Sequence, residues 1–587
     1  MVKNLIQQAV IHHQSGRLDR AIALYQAIIE ANPNAFDAHQ LMGAAWIAMN
    51  DLDRAKIALD KALDLRPFHP AVVSNYSIML QNQDKAQAAL DLINQALKHH
   101  PQDMQLWSKK SLLAYHLGDL KAAQVSLDFI FKQNAAPPPT EALNLQGALF
   151  LDQKQYEQAL PYCAKAAENG ANDASILSNY ALALSNCGQH QKAKEIIARA
   201  LALNPTSLQT RRNDCLIALS SGRDEAATRK LAALVESNPQ DDDLNYFYGQ
   251  TLLAAATPEQ MLDGFTRCER RWNCSFMRKE YCRMQIINSP IPYWAGERAQ
   301  KITHLAIFPE FGYGDFIHML RYVPPLNKLG IKTTLILGQH YKAIAPLLRQ
   351  YSCFEDYVET LSDAEMHARG IDGITGVMSL PLIHMRQLRV ADPIIGPVRL
   401  TSDPASEGQM QTLLYQKGLR PTDRRIGLVV QGNPDHVNDH FRSIDLGLAF
   451  NKFASALEDK PHENSIKFIL ITPDKTGLGD QQRDQKIINM GGAVKNFADS
   501  AALIRNLDLL ITIDSAPAHL AGSLGIPTWL LLPQNADWRW QYCSDPEAFA
   551  ARRTRLYPAF QLFRQFDAEK GWPPVLEQVS QALKTTL

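Results

Sequence analysis

The sequence lacks a long apolar run and an excess of charge of either sign. No stretch of its 587 residues reaches the roughly 18 unbroken apolar residues that a membrane-spanning helix needs. Lys plus Arg and Asp plus Glu each total 60, so the formal net charge is zero. No dense basic segment is present to neutralise the phosphates of a nucleic acid. We therefore expect a protein that has no membrane span and does not bind nucleic acid.

Cysteine and targeting signals are also sparse. The eight cysteines are scattered singly, and the tightest group, Cys268, Cys274 and Cys282, has neither the CxxC pairs nor the histidine spacing of a zinc site. The N-terminal segment has helical periodicity and lacks the apolar core and cleavage site of a signal peptide. We expect reduced thiols and a soluble, cytoplasmic protein.

Common nucleotide and metal motifs are missing as well. The sequence has no G-x-x-x-x-G-K-[ST], and no G-x-G-x-x-G between a strand and a helix, so nucleotide hydrolysis and hydride transfer lack support. The acidic residues with DxD spacing, Asp51 with Asp53 and Asp241 with Asp243, lie at expected helix starts, where carboxylates serve as caps. The sequence therefore predicts no metal site and no cofactor.

What the first 240 residues do contain is an internal repeat. Pro33, Pro67 and Pro101 are spaced 34 residues apart, as are Pro205 and Pro239, and this period is typical of helix-turn-helix solenoids. Small residues recur at 12-residue spacing before the prolines, where two helices of a hairpin must approach closely. They are Ala9, Ala21, Gly43, Ala55, Ser77, Ala89, Ala181, Ala193, Cys215 and Ala227, and, between the two proline series, Ser111, Ala123, Gly147 and Ala159.

This pattern resembles the tetratricopeptide repeat family over residues 1–240, with about seven repeats. The resemblance implies a helical solenoid whose concave surface holds an extended peptide. Asn75, Asn144 and Asn179 fall in first helices of repeats and suit recognition of a peptide backbone. A purely structural spacer is the alternative, and the repeats also offer a surface for oligomer formation.

The 34-residue repeat pattern ends near residue 240. Residues 241–295 stay helical without the repeat phase and end in the linker NSPIPYWAGE, which predicts a helical cap and linker. From there, short apolar runs alternate with helical segments, as in parallel α/β sheets. The runs are ITHLAIFPE, TTLILG, RIGLVVQG, IKFILIT, LLITID and PTWLLLP. A low-regularity stretch over residues 391–421, with Pro393, Pro397 and Pro404, separates two Rossmann-like lobes, 296–405 and 420–587.

Ligands of such sheets bind beyond the carboxyl ends of the strands, so the residues after each run are the site candidates. Gly314 and Asp315 follow the first run, Asn433, Arg442 and Ser443 follow RIGLVVQG, and Asp514 and Ser515 end LLITI. Each has a structural alternative. Asp315, Asp514 or Ser515 would cap a helix, Asn433 would form a turn, and Arg442 would lie on the surface.

The segment around Asp514 suggests an anion site. Pro517 suits the first turn of a helix, whose free N–H groups bind anions such as a diphosphate. Ser515 would donate to a phosphate oxygen, Arg442 would form a two-point contact with it, and Asp514 would accept hydrogen bonds from sugar hydroxyls.

Four segments, FGYGDF, GNPDHVNDHFRS, DSAPAHLAGSLG and WLLLPQNADWRW, resemble the glycosyltransferase domain of bacterial repeat proteins related to the lipopolysaccharide heptosyltransferases. The likeness covers nearly all of residues 300–570. It implies a GT-B fold with an acceptor lobe followed by a nucleotide-sugar lobe, and transfer with inversion and without a metal. Repeats joined to such a domain are also similar in architecture to the O-linked N-acetylglucosamine transferases, which modify proteins.

The resemblance assigns roles to individual residues. Gly314-Asp315 matches the family's Gly-Asp, so Asp315 is expected to be the general base. Arg442 is expected to neutralise the leaving diphosphate. Asp514, Ser515 and His519 match an Asp-Thr-Gly-x-x-His pattern, but Ala516-Pro517 replaces glycine there and leaves the donor sugar open. His519 is expected either to orient the helix or to act in catalysis.

Trp538 and Trp540 complete the candidates. They are expected either to form the floor of the sugar or acceptor pocket or to pack between the lobes. Taken together, the sequence predicts an inverting, metal-independent glycosyltransferase that moves a sugar from a nucleotide-sugar donor to a protein or peptide acceptor held by the repeats. Two alternatives stay open: a non-catalytic peptide-binding scaffold with a degenerate transferase domain, and a transferase with a glycan acceptor.

Overall fold

A computed structural model of the chain describes residues 2–133, 137–221, 225–255, 257–274, 277, 283, 286, 288–349, 351–434, 436, 439–457, 466–471, 486–540 and 554–586. Cys282, named above, lies outside these residues. The chain divides into two compact units, Met1–Asp214 and Cys215–Leu587. The division falls within the seventh expected repeat.

In the described residues between Val2 and Ser237, fourteen helices form seven successive pairs. They are α1 Val2–Gln14, α2 Leu18–Ala31, α3 Phe36–Ala48, α4 Leu52–Leu65, α5 Pro70–Asn82, α6 Ala86–His99, α7 Met104–His116, α8 Leu120–Lys132, α9 Thr140–Asp152, α10 Tyr156–Asn169, α11 Ala174–Asn186, α12 His190–Leu203, α13 Leu208–Ser221 and α14 Glu225–Ser237. None of the helices in the described part of the chain has both the length and the apolar character that crossing a bilayer requires.

The small residues of the repeat lie where the sequence predicts close packing of helices. Ala21, Ala55, Ala89 and Ala123 are all fully buried. Gly147 of α9 shows the constraint most sharply, because a Cβ atom there would lie 2.4 Å from the Sγ of Cys163 in α10. A larger side chain at such a position would push the two helices of the hairpin apart.

After the repeats, the second unit continues with a helical pair, α15 Asp242–Ala255 and α16 Pro258–Cys268. A 3₁₀ turn, Glu269–Asn273, follows. The expected linker after this segment packs against the strand Gly373–Gly376, which lies at the edge of the four-stranded sheet described next. The Trp294 N–H donates to the Ile374 carbonyl at 2.9 Å, and the Trp294 side chain is buried. This part of the chain thus extends an edge of the sheet and does not separate two bodies.

The first sheet has four parallel strands in the order β3-β2-β1-β4. Its strands are β1 His304–Phe308, β2 Lys332–Ile336, β3 Asp356–Val358 and β4 Gly373–Gly376. The helices of this region are α17 Tyr313–Met319, α18 Val323–Lys328, α19 Ala345–Leu348, α20 Asp363–Ala368 and α21 Leu380–Leu388.

As far as the chain is described, the second sheet has six parallel strands in the order β10-β9-β8-β5-β6-β7. Its strands are β5 Arg424–Val429, β6 Ile466–Leu470, β7 Ile487–Asn489, β8 Leu509–Ile513, β9 Thr528–Leu532 and β10 Phe560–Arg564. The helices of this region are α22 Pro404–Gln416, α23 Asp439–Arg442, α24 Leu446–Ser455, α25 Phe497–Arg505, α26 Ala516–Leu524 and α27 Pro573–Thr586.

All six apolar runs chosen from the sequence contain a strand, and the irregular segment between the sheets is shorter than expected. Residues 404–416, expected to be irregular, form α22. Pro404 occupies the start of this helix, where its missing N–H costs nothing, and the Asp403 side chain caps it by accepting from the Ser406 N–H at 2.9 Å.

One apolar core joins the parts of the second unit. Phe265 of α16, Ile307 of β1 and Leu520 of α26 belong to a single cluster of buried apolar residues. The two α/β regions are therefore in direct apolar contact, and the loops at the carboxyl ends of their strands come close together.

Candidate functional site

The candidate site is a cavity of about 720 Å³ in the second unit. Its lining comes from the segments that follow β1, β5, β8 and β9. In each sheet the strand order reverses beside one of these strands, at β1/β4 and at β5/β8. Loops diverge at such reversal points and leave a crevice, which is where parallel sheets bind ligands.

Most of the residues chosen from the sequence lie in this lining. The structure brings together Gly314, Asp315, Asn433, Arg442, Ser443, Asp514, Ser515, Ala516 and His519. Trp538 and Trp540 are not among the lining residues.

Asp315 lies in the first turn of α17 but is not its N-cap residue. Gly312 occupies the N-cap position, and its N–H donates to Oδ2 of Asp315 at 3.2 Å. The other carboxylate oxygen, Oδ1, pairs with Nη2 of Arg539. Asp315 thus stabilises the helix start from its third residue, and 19% of its side chain remains exposed.

The start of α26 has no side-chain cap. Ser515 is the N-cap residue, yet its side chain makes no capping bond, because Oγ donates back to the Ile513 carbonyl at 3.2 Å. Neither Asp514 nor Ser515 therefore caps the helix in the way that the structural alternative required. The helix start lies against Gly314, where a Cβ atom would come within 3.5 Å of the Ala516 N and 3.0 Å of the His519 ring.

Asp514 and His519 form a pair at this helix start. The Asp514 Oδ1 lies 3.7 Å from Nε2 of His519. Burial by itself would raise the pKa of Asp514, but His519 and the charge of Arg539 outweigh it and hold that pKa well below its ordinary value. For His519, burial lowers the pKa, and Asp514 offsets only part of this effect. Near neutral pH the pair is a carboxylate beside a neutral imidazole.

The His519 ring is held from several sides. Its Nδ1 lies 2.9 Å from the Tyr557 hydroxyl, and its ring stacks on Trp540 with 5.4 Å between centroids. The edge of His318 approaches at 5.3 Å. Only 1% of the His519 side chain is exposed, so the ring is packed on all sides, as the predicted packing role requires.

Arg442 connects the loops after β5 and β8. Its Nη1 donates to the Asp514 carbonyl at 2.8 Å, and Nε donates to Oδ1 of Asp439 at 3.2 Å. Ser443 fixes the same aspartate, because its Oγ donates to Oδ2 at 2.9 Å. The guanidinium of Arg442 is thus held beside the uncapped start of α26.

Arg539 is a lining residue that the sequence reading missed. Its side chain is 7% exposed, its Nη2 pairs with Asp315, and its Nε lies 3.1 Å from Oδ1 of Asp537. Burial alone would lower its pKa, but the surrounding aspartates raise it. The sequence does show Arg539 as a charged residue between Trp538 and Trp540, and this feature could have identified it.

The two tryptophans pack outside the cavity. Trp538 meets the Phe265 ring edge-on at 5.5 Å, and Trp540 stacks on His519 and on Phe560. The expectation that their rings form a pocket floor is therefore corrected. They support the segment that carries Arg539 and the ring of His519.

A second cluster missed from the sequence lies between β1 and α17, the helix that carries Asp315. Glu310, two residues after the end of β1, forms a fully buried ion pair with Arg271. Arg271 also donates to Ser379 Oγ at 2.6 Å and to Glu269 Oε1 at 2.8 Å. These contacts join the segment after α16 to the loops after β1 and β4.

The charge of the cavity lining is mixed. Four aspartates, Asp315, Asp439, Asp514 and Asp537, surround the two arginines. In the described ranges, no group of three or more His, Cys, Asp or Glu residues is arranged to hold a metal ion. Asp51 and Asp241 act as helix caps, since each accepts a backbone N–H three residues further on at 3.0 Å. The arrangement offers a carboxylate to take up a proton and guanidinium groups to bind an anion.

Comparison with known proteins identifies the repeats. Tetratricopeptide repeat profiles match residues 12–74, 80–125 and 150–211. This part of the chain therefore carries tetratricopeptide repeats and forms a solenoid, which confirms that part of the prediction.

Two curated relatives match over short stretches. One is a TPR repeat-containing protein of Pseudomonas aeruginosa, 28% identical over 158 residues, which is 26% of either chain. The other is cellulose synthase operon protein C of Pseudomonas fluorescens, 35% identical over 91 residues, or 15% of this chain and 7% of that protein. The chain thus matches about a quarter of the length of the first relative and less of the second.

Among solved structures, a tetratricopeptide repeat protein from Parabacteroides merdae matches with a TM-score of 0.31 and 18% identity over 43% of this chain and 96% of that one. The APC/C hetero-tetramer Cut9-Hcn1 matches with a TM-score of 0.37 and 14% identity over 46% of this chain and 51% of that one.

Proposed function

We propose that the chain is an inverting, metal-independent glycosyltransferase that moves a sugar from a nucleotide-sugar donor to a hydroxyl of a protein or peptide. One observation carries the proposal. A carboxylate from the first α/β region, Asp315, and a guanidinium with an uncapped helix start from the second, Arg442 and α26, line one cavity. Two parallel sheets with the site at their strand ends suit a GT-B transferase.

In the proposed reaction, the acceptor oxygen attacks the anomeric carbon while the bond from that carbon to the diphosphate breaks. Asp315 takes the proton of the acceptor hydroxyl as the new bond forms. The leaving nucleoside diphosphate gains charge, which Arg442 and the Ala516 N–H at the start of α26 stabilise. A single displacement from the far face inverts the anomeric carbon.

Asp514 is proposed to bind hydroxyls of the donor. Because its pKa is held low, it remains a carboxylate and accepts hydrogen bonds from ribose or sugar hydroxyls. His519 is a positioning residue in this proposal, since Tyr557 and Trp540 fix its ring beside Asp514.

The solenoid is proposed to bind the acceptor. Asn144 and Asn179 lie in the first helices of successive repeats, as the fifth residue of α9 and the sixth residue of α11, and the Asn179 Nδ2 donates to the Asn144 Oδ1 at 2.9 Å. Both side chains are only half-buried. Their remaining amide groups suit hydrogen bonds to an extended peptide backbone. Asn75, at the same repeat position as Asn179, donates to the Gln40 carbonyl at 3.4 Å.

Replacing Asn144 and Asn179 together with alanine tests the acceptor role. We expect a higher KM for a protein or peptide acceptor with unchanged nucleotide binding. Lys165→Ala, on the exposed side of α10, is the matched control and should change neither value. An unchanged KM in the double variant would argue for a glycan acceptor.

The donor site is tested by thermal unfolding with ADP, UDP, GDP, CDP and their sugars, with and without EDTA. A ligand at a hundred times its Kd adds about 2.7 kcal/mol to the unfolding free energy. A shift with one nucleotide that EDTA does not change identifies the donor class. That donor is then used to measure transfer with Asp315→Asn, which should abolish turnover and keep nucleotide binding, and with Asp363→Asn at the exposed start of α20, which should change neither.

One observation favours the second candidate, a non-catalytic scaffold. In the structure, the Asp315 carboxylate is already paired with Arg539, so the candidate base is engaged. No response to any nucleotide would favour the scaffold over the transferase, whereas full turnover of Asp315→Asn would keep the transferase and remove Asp315 from the mechanism.

A further inference from the structure

The guanidinium of Arg539 lies in the wall of the cavity with its hydrogen-bonding capacity only partly used. Its Nη2 pairs with Asp315. Its Nε is buried and lies 3.1 Å from Asp537 Oδ1, but without the alignment of a hydrogen bond. A buried donor without an aligned acceptor is costly, and a ligand that supplies the acceptor removes the cost.

Arg539 and Arg442 both lie near Asp514. Asp514 precedes Ser515, the N-cap residue of α26. Arg442 donates to the Asp514 carbonyl at 2.8 Å. The charge of Arg539 is close enough to the Asp514 carboxylate to contribute to its lowered pKa. Two guanidinium groups beside a helix start suit a diphosphate, which has two charged phosphoryl groups.

The ion pair between Arg539 and Asp315 conflicts with proton transfer to Asp315. Once Asp315 is protonated, it no longer has the charge that binds the guanidinium, and the buried Arg539 keeps only its contact with Asp537. Loss of one partner of a buried charge is unfavourable. A second anion beside Arg539 therefore favours proton transfer to Asp315.

We propose that Arg539 is a second diphosphate-binding residue and that Asp315 holds it while the cavity has no ligand. When the diphosphate binds, Arg539 leaves Asp315 for a phosphoryl oxygen, and the carboxylate becomes available to the acceptor hydroxyl. The donor thus has to bind before the base is free. This inference rests on the proposed donor site.

The test is a double-mutant cycle with inorganic pyrophosphate as the probe, measured by titration calorimetry on the full chain. The proteins are the wild type, Asp315→Asn, Arg539→Gln and the double variant. We expect Asp315→Asn to bind pyrophosphate about fivefold tighter, a typical effect of removing a competing, partly exposed ion pair. Arg539→Gln should bind about tenfold weaker, as expected for loss of a charge-assisted contact. In the Arg539→Gln background, the gain from Asp315→Asn should disappear.

The cycle separates this exchange from plain repulsion between Asp315 and the anion. If repulsion alone acts, Asp315→Asn tightens binding equally in the wild-type and Arg539→Gln backgrounds, and the inference is overturned. Should Arg539→Gln not fold, Arg539→Lys replaces it in the cycle. Lysine keeps the charge but lacks the planar guanidinium, which can contact two oxygens at once. The gain in pyrophosphate affinity from Asp315→Asn should therefore be smaller in the Arg539→Lys background. An unchanged gain overturns the inference.

The same titration distinguishes failure of this inference from failure of the proposed donor site. Pyrophosphate binding that is lost in Arg442→Gln but indifferent to Arg539 overturns the inference alone. Absence of binding by both the wild type and Asp315→Asn overturns the inference together with the donor site.

Discussion

The Arg271 guanidinium and the Glu310 carboxylate form a two-point ion pair in which neither side chain is exposed. Nε lies 2.6 Å from Oε2, and Nη2 lies 3.0 Å from Oε1. Glu310 also accepts the Met378 N–H at 3.0 Å. The pair therefore fixes the chain between β1 and α17, the helix that carries Asp315.

Replacing Arg271 with methionine should destabilise the second unit strongly. The substitution leaves the Glu310 carboxylate buried without its partner, and breaking a buried pair in this way costs about 3–5 kcal/mol. Calorimetric unfolding of the full chain should show a lower midpoint for the transition of the second unit. The transition of the solenoid should stay in place.

The adjacent arginine provides the control. Arg270 pairs with Asp242 at 2.8 Å, but 42% of its side chain is exposed, and exposed pairs contribute about 0–1 kcal/mol. Arg270→Ala should therefore have little effect. Equal losses for both variants would show that the buried pair has no special part in stability.

The features that the sequence predicted depend on local patterns. Small residues at fixed spacing located the helix contacts of the solenoid, as at Gly147. Apolar runs located six strands, and the residues after four of them, β1, β5, β8 and β9, line the cavity, because the carboxyl ends of parallel strands meet at one edge.

The features that the sequence missed depend on contacts between distant residues or on short strands. Arg539 and Asp315 lie 224 positions apart, and no local pattern links them. Among the missed strands, β3 and β7 have three residues each, and half of the four-residue β4 is glycine. Such segments have too few side chains to show a period and form only because a neighbouring strand pairs with them.

Adding one methyl group at Gly147 should destabilise the solenoid. In Gly147→Ala, the new Cβ would lie 2.4 Å from the Cys163 Sγ, and overpacking of this kind costs about 1–3 kcal/mol. Cys163→Ala removes the sulfur, so the double variant should recover most of the loss. Thermal unfolding of the three variants measures both effects.

The same substitution at Gly408 serves as the control, because a Cβ atom there would meet nothing within 4 Å. Gly408 lies in the exposed face of α22, where alanine should add about 0.5–1 kcal/mol of stability. A stable Gly147→Ala variant, or a double variant that does not recover, would contradict the packing argument.

Buried His318 should make stability depend on acid. Burial lowers its pKa well below the ordinary value of about 6.5, and Arg321 lowers it further. At pH 5.5 the imidazole of His318 is protonated in the unfolded chain but not in the folded chain. Protonation thus favours the unfolded chain, so the free energy of unfolding is highest above pH 6.5 and decreases as the pH falls below that value.

We expect His318 to account for about 1.4 kcal/mol of the stability lost between pH 7.5 and pH 5.5. His318→Gln should reduce the loss by that amount, whatever its effect at pH 7.5. His367→Gln, on the exposed face of α20, should leave the loss in place. Urea unfolding at the two pH values decides, and an equal loss in the wild type and His318→Gln would contradict the assignment.

Arg442 should govern nucleotide binding. Its side chain is held by the Asp514 carbonyl and by Asp439, so its position is fixed before a ligand arrives. Removing a charged hydrogen-bond partner costs about 1.5–3 kcal/mol, and Arg442→Ala should bind the nucleotide about 10- to 100-fold more weakly. The Kd of Arg442→Lys should lie between those of the wild type and Arg442→Ala, because lysine keeps the charge but lacks the planar guanidinium that contacts two oxygens at once.

The control for this series is Arg424→Ala. Arg424 is exposed at the first residue of β5, at the opposite end of the strand from the cavity, so its loss should leave the Kd unchanged. Titration calorimetry with the nucleotide that raises the unfolding temperature gives all four values. If Arg442→Ala binds as the wild type does, the anion at this helix start is held by other groups, and Arg442 serves only to join the loops after β5 and β8.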